Sequence, residues 1–85
     1  MNNYSGLLDK LIKTLLEIKD ESQLRDFLKG ILTPDELEEI STRLEIVKRL
    51  KKGVAQHQIA KELGVGVATV TRGSKELQKG RFKNV

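Results

Sequence analysis

Residues 56–73 read QHQIAKELGVGVATVTRG, and their spacing is that of a helix-turn-helix. Ala60 is small where two helices must cross closely, and Gly64 stands at a turn that requires a positive φ angle. Apolar residues are placed to anchor the first helix and the turn to a core, and these are Ile59, Leu63 and Val65. The stretch therefore predicts two short helices that cross at a tight turn.

The second helix of this motif is predicted to pack through Val67, Val70 and Leu77. In a helix-turn-helix, that helix normally enters the major groove of DNA with its first residues facing the base edges. Ala68 can meet a thymine methyl group, and Thr69 can bond bases or phosphates. The same layout can also serve protein contacts alone, so both interpretations stay open at this point.

The start of the first helix offers a second DNA contact. Gln56 and His57 open that helix, where backbone N–H groups can hold a phosphate. For His57, a solvated surface position is the alternative interpretation.

The residues of the second helix have a low intrinsic propensity to form a helix. Residues 67–71, VATVT, contain four β-branched residues, and Gly73 follows Arg72 where such helices usually carry another apolar residue. A generic helix-turn-helix does not explain a glycine at this position. Because tertiary packing must hold this helix, its position can be biased from outside.

Two helices are predicted at the start of the chain. Residues 5–19 place leucine and isoleucine at helical spacings, and Ser5 is the expected cap. Residues 21–29 follow as a shorter helix, with Asp20 as its cap and Gly30 as its stop.

A third helix has the strongest start signal in the chain. Thr33 is the expected N-cap, Pro34 the first helical residue, and Glu36 completes a capping box. The helix is predicted to run to Lys52 and to end at Gly53. With the two helices of the motif, the chain is therefore expected to be all-α with five helices.

The third helix also carries a predicted core stripe. The stripe consists of Leu37, Ile40, Leu44 and Val47. Arg43 lies at the edge of the stripe, at about 100° of turn per residue. Snorkelling of its long side chain over the core is one interpretation of this position.

Composition limits the chain to a small domain. With 85 residues, no cysteine and one histidine, we expect a single domain, 1–85, without a disulfide or a metal site. Few bulky residues are available for a core, so association with a second chain is expected. The expected layout has dimerisation helices in 5–52, the helix-turn-helix in 55–79 and a basic tail in 80–85. No secretory signal or membrane span is recognisable, and the expected location is cytoplasmic.

Charge is distributed unevenly along the chain. Residues 1–47 carry six Lys or Arg against ten Asp or Glu, which gives −4. Residues 48–85 carry ten against two, which gives +8 and, with the first part, the total of +4. A polyanion such as DNA should therefore bind the second half.

Three blocks of the sequence resemble the Trp repressor family. They are LTPDELEEISTR at 32–43, LKKG at 50–53 and ELGVGVATVTRGSKEL at 62–77. Within that family, the resemblance is greatest to the YerC/YecD type. It implies an all-α homodimer with interlocked helices that binds operator DNA and represses transcription. In the tryptophan-sensing branch, the amino acid is a corepressor that lies between the third helix and the recognition helix.

Two sets of site residues are predicted, the first from the helical spacing and the resemblance, and the second from the resemblance alone. The DNA-binding set is Gln56, His57, Val67, Ala68, Thr69, Thr71, Arg72, Lys75 and Lys79. The effector-binding set is Gly30, Leu32, Thr33, Arg43, Arg72, Gly73 and Glu76. In this second set, the resemblance implies that two arginines sandwich a flat ring and that Gly73 leaves room for it. The alternative interpretation of Gly73 is that it lets two helices cross closely.

The sequence departs from the family pattern at three places. Glu76 replaces a serine, and its carboxylate could pair with a ligand ammonium group or block the slot. The loop after Gly53 is one residue shorter, and His57 and Ala60 replace basic contacts, so we expect a different operator preference. The family's final helix, which helps to close the dimer, is expected to be absent or reduced to GRFKNV at 80–85.

We interpret the chain as a sequence-specific DNA-binding transcription regulator, a repressor under the control of a small amino-acid-like effector. L-tryptophan or another amino acid is the expected corepressor, and the expected partners are double-stranded operator DNA and a second copy of the chain. The alternative is a helical dimeric protein-interaction module without a DNA role. An enzyme is the least supported class, because no nucleophile–base pair, phosphate loop or metal cluster can be named.

Overall fold

The computed structural model describes residues 4–85, and the first three residues of the predicted domain lie outside them. Five α-helices follow one another across the described residues, and this confirms the all-α architecture. They are α1 (Tyr4–Glu17), α2 (Glu21–Ile31), α3 (Pro34–Lys51), α4 (Gln56–Leu63) and α5 (Val67–Gln78). The chain divides into two units, Met1–Leu37 and Glu38–Val85, and the division falls within α3.

Two helix starts in the first unit follow the predicted capping. The carboxylate of Asp20 accepts a hydrogen bond from the Gln23 backbone N–H at 2.8 Å. At the start of α3, the Glu36 N–H donates to Thr33 Oγ1 at 3.1 Å, and the Thr33 N–H donates to Glu36 Oε1 at 2.9 Å. This capping box is confirmed, and the bond from the Thr33 N–H lowers the pKa of Glu36.

The predicted start of α1 and the predicted end of α2 are both wrong. Ser5 does not cap α1, because the helix already includes Tyr4. Gly30 does not stop α2, which continues to Ile31 and ends at an extended Leu32 with φ −112° and ψ 147°. The physical stop lies further along the chain, because a residue that precedes a proline, here Thr33, is disfavoured in helical conformation.

The first unit leaves much apolar surface uncovered. Leu16 is 78% exposed and Leu7 is 62% exposed. Other large apolar side chains of this unit are also exposed, namely Leu8, Leu11, Ile12, Leu24 and Ile31. Exposed large apolar side chains, where they form a patch, commonly mark a place of association.

A small core holds the second unit together. Its buried cluster joins Ile46 of α3, Ile59 and Ala60 of α4, and Val70 of α5. Partly buried residues that pack against the cluster are Leu50, Val54, Leu63 and Val65. The predicted core positions of Ile59, Leu63, Val65 and Val70 are therefore confirmed, and Ala60 is buried where the helices cross.

The predicted stripe of α3 is only partly correct in the second unit. Val47 is buried as predicted, but Ile40 and Leu44 are exposed, and the sequence interpretation omitted Ile46, which is 1% exposed. The helix-turn-helix packs on the face that contains Ile46, Val47 and Leu50. The centre of that face is rotated by roughly 100° about the helix axis from the centre of the predicted stripe. Ile40 and Leu44 therefore stay uncovered.

Val67 is not an anchor of α5, because its side chain is 52% exposed. Side chains of a helix lean towards its N-terminus. Val67 is the first residue of α5, so its side chain leans past the end of the helix instead of over packed residues.

An arginine connects α3 to α4. Arg49 Nε lies 2.8 Å from Glu45 Oε2, and Arg49 Nη1 lies 2.9 Å from Glu62 Oε1. The hydrogen bond between Arg49 and Glu45 raises the pKa of the guanidinium and lowers that of the carboxyl. The pair within α3 orients the Arg49 side chain, and the pair with Glu62 connects α3 to α4. Within residues 4–85, no helix has the length and apolar character that a bilayer crossing needs.

Candidate functional site

The turn of the helix-turn-helix has the predicted geometry. Gly64 has φ 67° and ψ 35°, in the left-handed region that favours glycine. Its N–H and that of Val65 both donate to the carbonyl oxygen of Ala60, the latter at 3.0 Å. The turn thus closes directly on the buried residue at which α4 meets α5.

The first turns of α5 form an exposed surface. The exposed residues are Val67, Ala68, Thr69, Arg72 and Lys75, and together they are called the recognition face here. All five belong to the predicted DNA-binding set. His57 is also exposed, at the start of α4. The caps Ala55 and Gly66 have no side-chain acceptor, so the first N–H groups of α4 and α5 are suited to phosphate oxygens.

Three other residues of the predicted DNA-binding set have partners within the protein. The Thr71 hydroxyl donates to Gln56 Oε1 at 2.8 Å, and both side chains are half-buried. Lys79 Nζ lies 3.2 Å from Glu76 Oε2. Thr71 and Gln56 thus connect the two helices of the motif, and the charge of Lys79 is partly balanced.

A cleft of about 280 Å³ lies between α3 and α5. Its volume is just below the roughly 300–1,000 Å³ of small-molecule sites. The α3–α5 cleft is lined by Arg43, Ile46, Val47, Thr69, Arg72, Gly73, Glu76 and Phe82. Two of these residues, Thr69 and Arg72, also belong to the recognition face.

Four residues of the predicted effector set meet in the α3–α5 cleft. They are Arg43, Arg72, Gly73 and Glu76. The other three predicted residues, Gly30, Leu32 and Thr33, belong to the first unit. The cleft therefore presents two guanidinium groups and one carboxylate beside an apolar floor of Ile46 and Val47.

Gly73 lies at a close approach of α5 to α3. A Cβ atom on this residue would lie 3.3 Å from Ile46 Cγ2 and 3.7 Å from Leu50 Cδ1. The first distance is tighter than ordinary van der Waals contact, and Gly73 also lines the cleft. The two interpretations of Gly73, helix crossing and ligand slot, are thus compatible with each other.

Glu76 is engaged by neighbouring basic side chains. Its Oε2 lies 3.2 Å from Lys79 Nζ, and its Oε1 lies 3.8 Å from Arg81 Nε. Oε2 is closed off from solvent and makes no hydrogen bond of acceptable angle, so its contact with Lys79 is a charge pair only.

Sequence reasoning missed four residues that line the cleft. Ile46 and Val47 could have been found from Arg43, because positions i, i+3 and i+4 share one helix face. Thr69 could likewise have been found from Arg72 and Gly73, which follow it by three and four residues on the same helix face. Phe82 gave no such signal, since it follows α5 in a turn. No group of metal-binding side chains occurs among the described residues.

A helix-turn-helix with an exposed recognition face is the architecture of a DNA-binding transcription regulator. The family model described as Trp repressor protein matches residues 6–84. The chain belongs to the Trp repressor family, a family of transcription regulators and not of enzymes, which uses tryptophan as corepressor.

Curated relatives agree with this assignment. A Trp operon repressor homolog of Vibrio atlanticus is 46% identical over 77 residues, which cover 89% of this chain and 74% of that protein. One of Vibrio vulnificus is 46% identical over 69 residues, 80% of this chain and 65% of that protein. One of Photobacterium profundum is 45% identical over 76 residues, 88% of this chain and 70% of that protein. No solved structure matches the chain significantly.

Proposed function

We propose that this chain binds operator DNA as a homodimer, represses transcription, and responds to a small amino-acid-like effector in the α3–α5 cleft. One observation carries the proposal: Thr69 and Arg72 belong both to the recognition face and to the cleft. A ligand in the cleft would touch the helix that reads DNA. The relatives' name, Trp operon repressor homolog, supports repression.

Charge and exposure support the DNA-binding role of α5. Arg72 and Lys75 stand on its exposed surface in the half of the chain that carries +8. Thr69 and Ala68 precede them and suit contacts with base edges. His57 and the N-terminus of α4 suit phosphate contacts. Gln56 and Thr71 are then expected to position the motif, because they bond to each other.

Uncovered apolar faces support association of two copies. Leu7 and Leu16 are exposed in the first unit, and Ile40 and Leu44 are exposed in the second. A chain of 85 residues can bury little apolar surface alone, so a second copy is the natural cover. Two copies would present two recognition helices, and a dimeric helix-turn-helix protein reads half-sites about 34 Å apart.

The side chains of the α3–α5 cleft suit a flat ligand with an acidic group. The guanidinium groups of Arg43 and Arg72 can bind a carboxylate and can also stack on an aromatic face. Ile46, Val47 and Gly73 supply apolar contact. L-tryptophan, the corepressor of the family, is one amino acid of this kind. By contacting α3 and α5 together, the effector would favour one position of the recognition helix.

The test is a selection of bound sequences from a random duplex pool, with and without the twenty amino acids. We expect an enriched sequence with twofold symmetry whose retention depends on an added amino acid. Retention should fall steeply with salt, because phosphate contacts release counterions.

Two outcomes would contradict different parts of the proposal. No retention of any duplex at low salt would refute DNA binding and would favour a protein-interaction module. Equal enrichment with and without amino acids, together with no heat in calorimetric titrations of all twenty, would refute effector control alone.

A further inference from the structure

A tight turn follows α5 and reverses the chain. The Gly80 N–H donates to the carbonyl oxygen of Leu77 at 3.0 Å, and the Arg81 N–H donates to that of Glu76 at 3.3 Å. Gly80 has a φ angle of +91°. This pairing around a left-handed glycine is a Schellman motif, which ends a helix and redirects the chain. It returns residues 81–85 to the end of α3.

Three further contacts hold the returning segment. Lys51, the last residue of α3, donates through Nζ to the carbonyl oxygens of Phe82 and Val85. Arg81 Nε lies 3.8 Å from Glu76 Oε1, which is a charge pair back to α5. The segment is therefore tied both to α3 and to α5.

Phe82 stands in this segment and lines the α3–α5 cleft together with Arg43 and Arg72. Its φ angle is +63°, in the left-handed region that bulky residues rarely adopt. Such a conformation persists only where the surroundings enforce it, and it is more frequent at binding sites than elsewhere. Phe82 nevertheless remains 36% exposed. The conformation thus places an aromatic ring at the cleft without burying it fully.

We propose that Phe82 is a specificity-determining residue of the cleft, which contacts the flat ring of the effector, and that Glu76 positions it through Arg81. The inference rests on the effector control proposed above. Contact between two aromatic rings contributes more binding free energy than contact between an aromatic ring and an aliphatic side chain. Phe82 therefore makes the cleft select planar aromatic ligands over aliphatic ones of similar size. Glu76 positions the wall of the cleft and does not bind the ligand, because its carboxylate is already paired with Lys79 and Arg81.

The experiment compares three amino acids as probes: L-tryptophan, L-phenylalanine and L-leucine. Their dissociation constants are measured by calorimetry for the full chain and for Phe82→Leu, which keeps apolar volume but loses the ring. We expect the wild type to prefer the aromatic probes. Phe82→Leu should weaken their binding by roughly 2- to 10-fold and leave that of L-leucine unchanged. Val85→Ala, at an exposed position of the same segment, is the matched control. It should leave the binding of the aromatic probes and of L-leucine unchanged.

The outcomes separate this inference from the function on which it rests. A wild type that binds none of the three probes refutes effector control by these ligands and the inference with it. Unchanged binding of aromatic probes to Phe82→Leu, or an equal loss for L-leucine, overturns the inference alone and leaves effector control intact.

A double-mutant cycle tests the positioning role of Glu76. Glu76→Gln removes the charge that pairs with Arg81, and it should reduce the preference for L-tryptophan over L-leucine. In the Phe82→Leu background, the same change should have no further effect on that ratio, because the ring it positions is absent. A loss that is equal in both backgrounds would show that Glu76 acts independently of Phe82. Urea unfolding of each variant verifies that it is folded.

Discussion

The hydroxyl of Thr71 donates a hydrogen bond to Oε1 of Gln56 at 2.8 Å and joins the middle of α5 to the first residue of α4. Both side chains are half-buried, whereas Thr69 on the same helix is exposed. The two threonines thus differ in their surroundings although they are two residues apart. This difference allows the positioning of the motif to be separated from contact with DNA.

Thr71→Val is expected to destabilise the protein, because it removes the hydroxyl and leaves the Gln56 carbonyl without its donor. The free energy of unfolding should fall by about 0.5–1.5 kcal/mol. Thr69→Val, the matched control, should change it by less than about 0.5 kcal/mol, as is usual for exposed positions. Urea unfolding measures both. If the two variants lose the same stability, the bond between Thr71 and Gln56 does not hold the motif.

Arg72→Ala is expected to weaken binding to the selected duplex more than binding to random DNA. A base contact by arginine contributes about 1–3 kcal/mol of discrimination, whereas a phosphate contact contributes equally to every sequence. Lys75→Ala is the comparison, since an exposed lysine on the same face can neutralise a phosphate. Lys75→Ala should weaken binding to both duplexes alike, and it should reduce the slope of log affinity against log salt concentration by about one. Mobility shifts at several salt concentrations measure these effects. Equal losses on both duplexes for Arg72→Ala would show a phosphate contact only.

Local signals made much of the fold and part of the site predictable. Thr33 and Glu36 cap each other three residues apart, so a short pattern contains the whole interaction. Gly64 is needed because a residue at φ 67° must tolerate the left-handed region. The approach of Arg43 to Arg72 and Gly73 in one cleft was predicted from the family resemblance, since no local pattern relates α3 to α5.

Other features could not be predicted because they depend on which neighbour covers a surface. α3 is apolar on more than one face, and periodicity alone does not show whether Ile46 or Ile40 meets the helix-turn-helix. The placement of Phe82 depends on Lys51, which lies 31 residues earlier in the chain. Neither relation leaves a pattern in a short stretch of sequence.

The capping box predicts a pH dependence of stability. The Thr33 N–H lowers the pKa of Glu36 in the folded state, so the ionised carboxylate stabilises the fold at neutral pH. That contribution is fully present above the unfolded glutamate pKa of about 4.3 and is lost as the pH falls through the lower folded value. Glu36→Gln keeps a capping side chain but does not titrate. The stability advantage of the wild type over this variant should therefore shrink as the pH falls from about 5 to below about 4.3. A constant difference in urea unfolding across that range would contradict the prediction.

Gly73→Ala is expected to remove the effector response while it leaves folding nearly unchanged. The new Cβ would lie 3.3 Å from Ile46 Cγ2, so the neighbouring side chain must move by a few tenths of an ångström. This crowding offsets the roughly 0.5–1 kcal/mol that alanine gains over glycine in a helix. Gly30→Ala, with no described atom within 4 Å of its Cβ, measures that gain alone. Because the added Cβ also narrows the α3–α5 cleft, L-tryptophan should no longer change retention of the selected duplex. A variant that loses stability but keeps the response would show that Gly73 serves only the helix crossing.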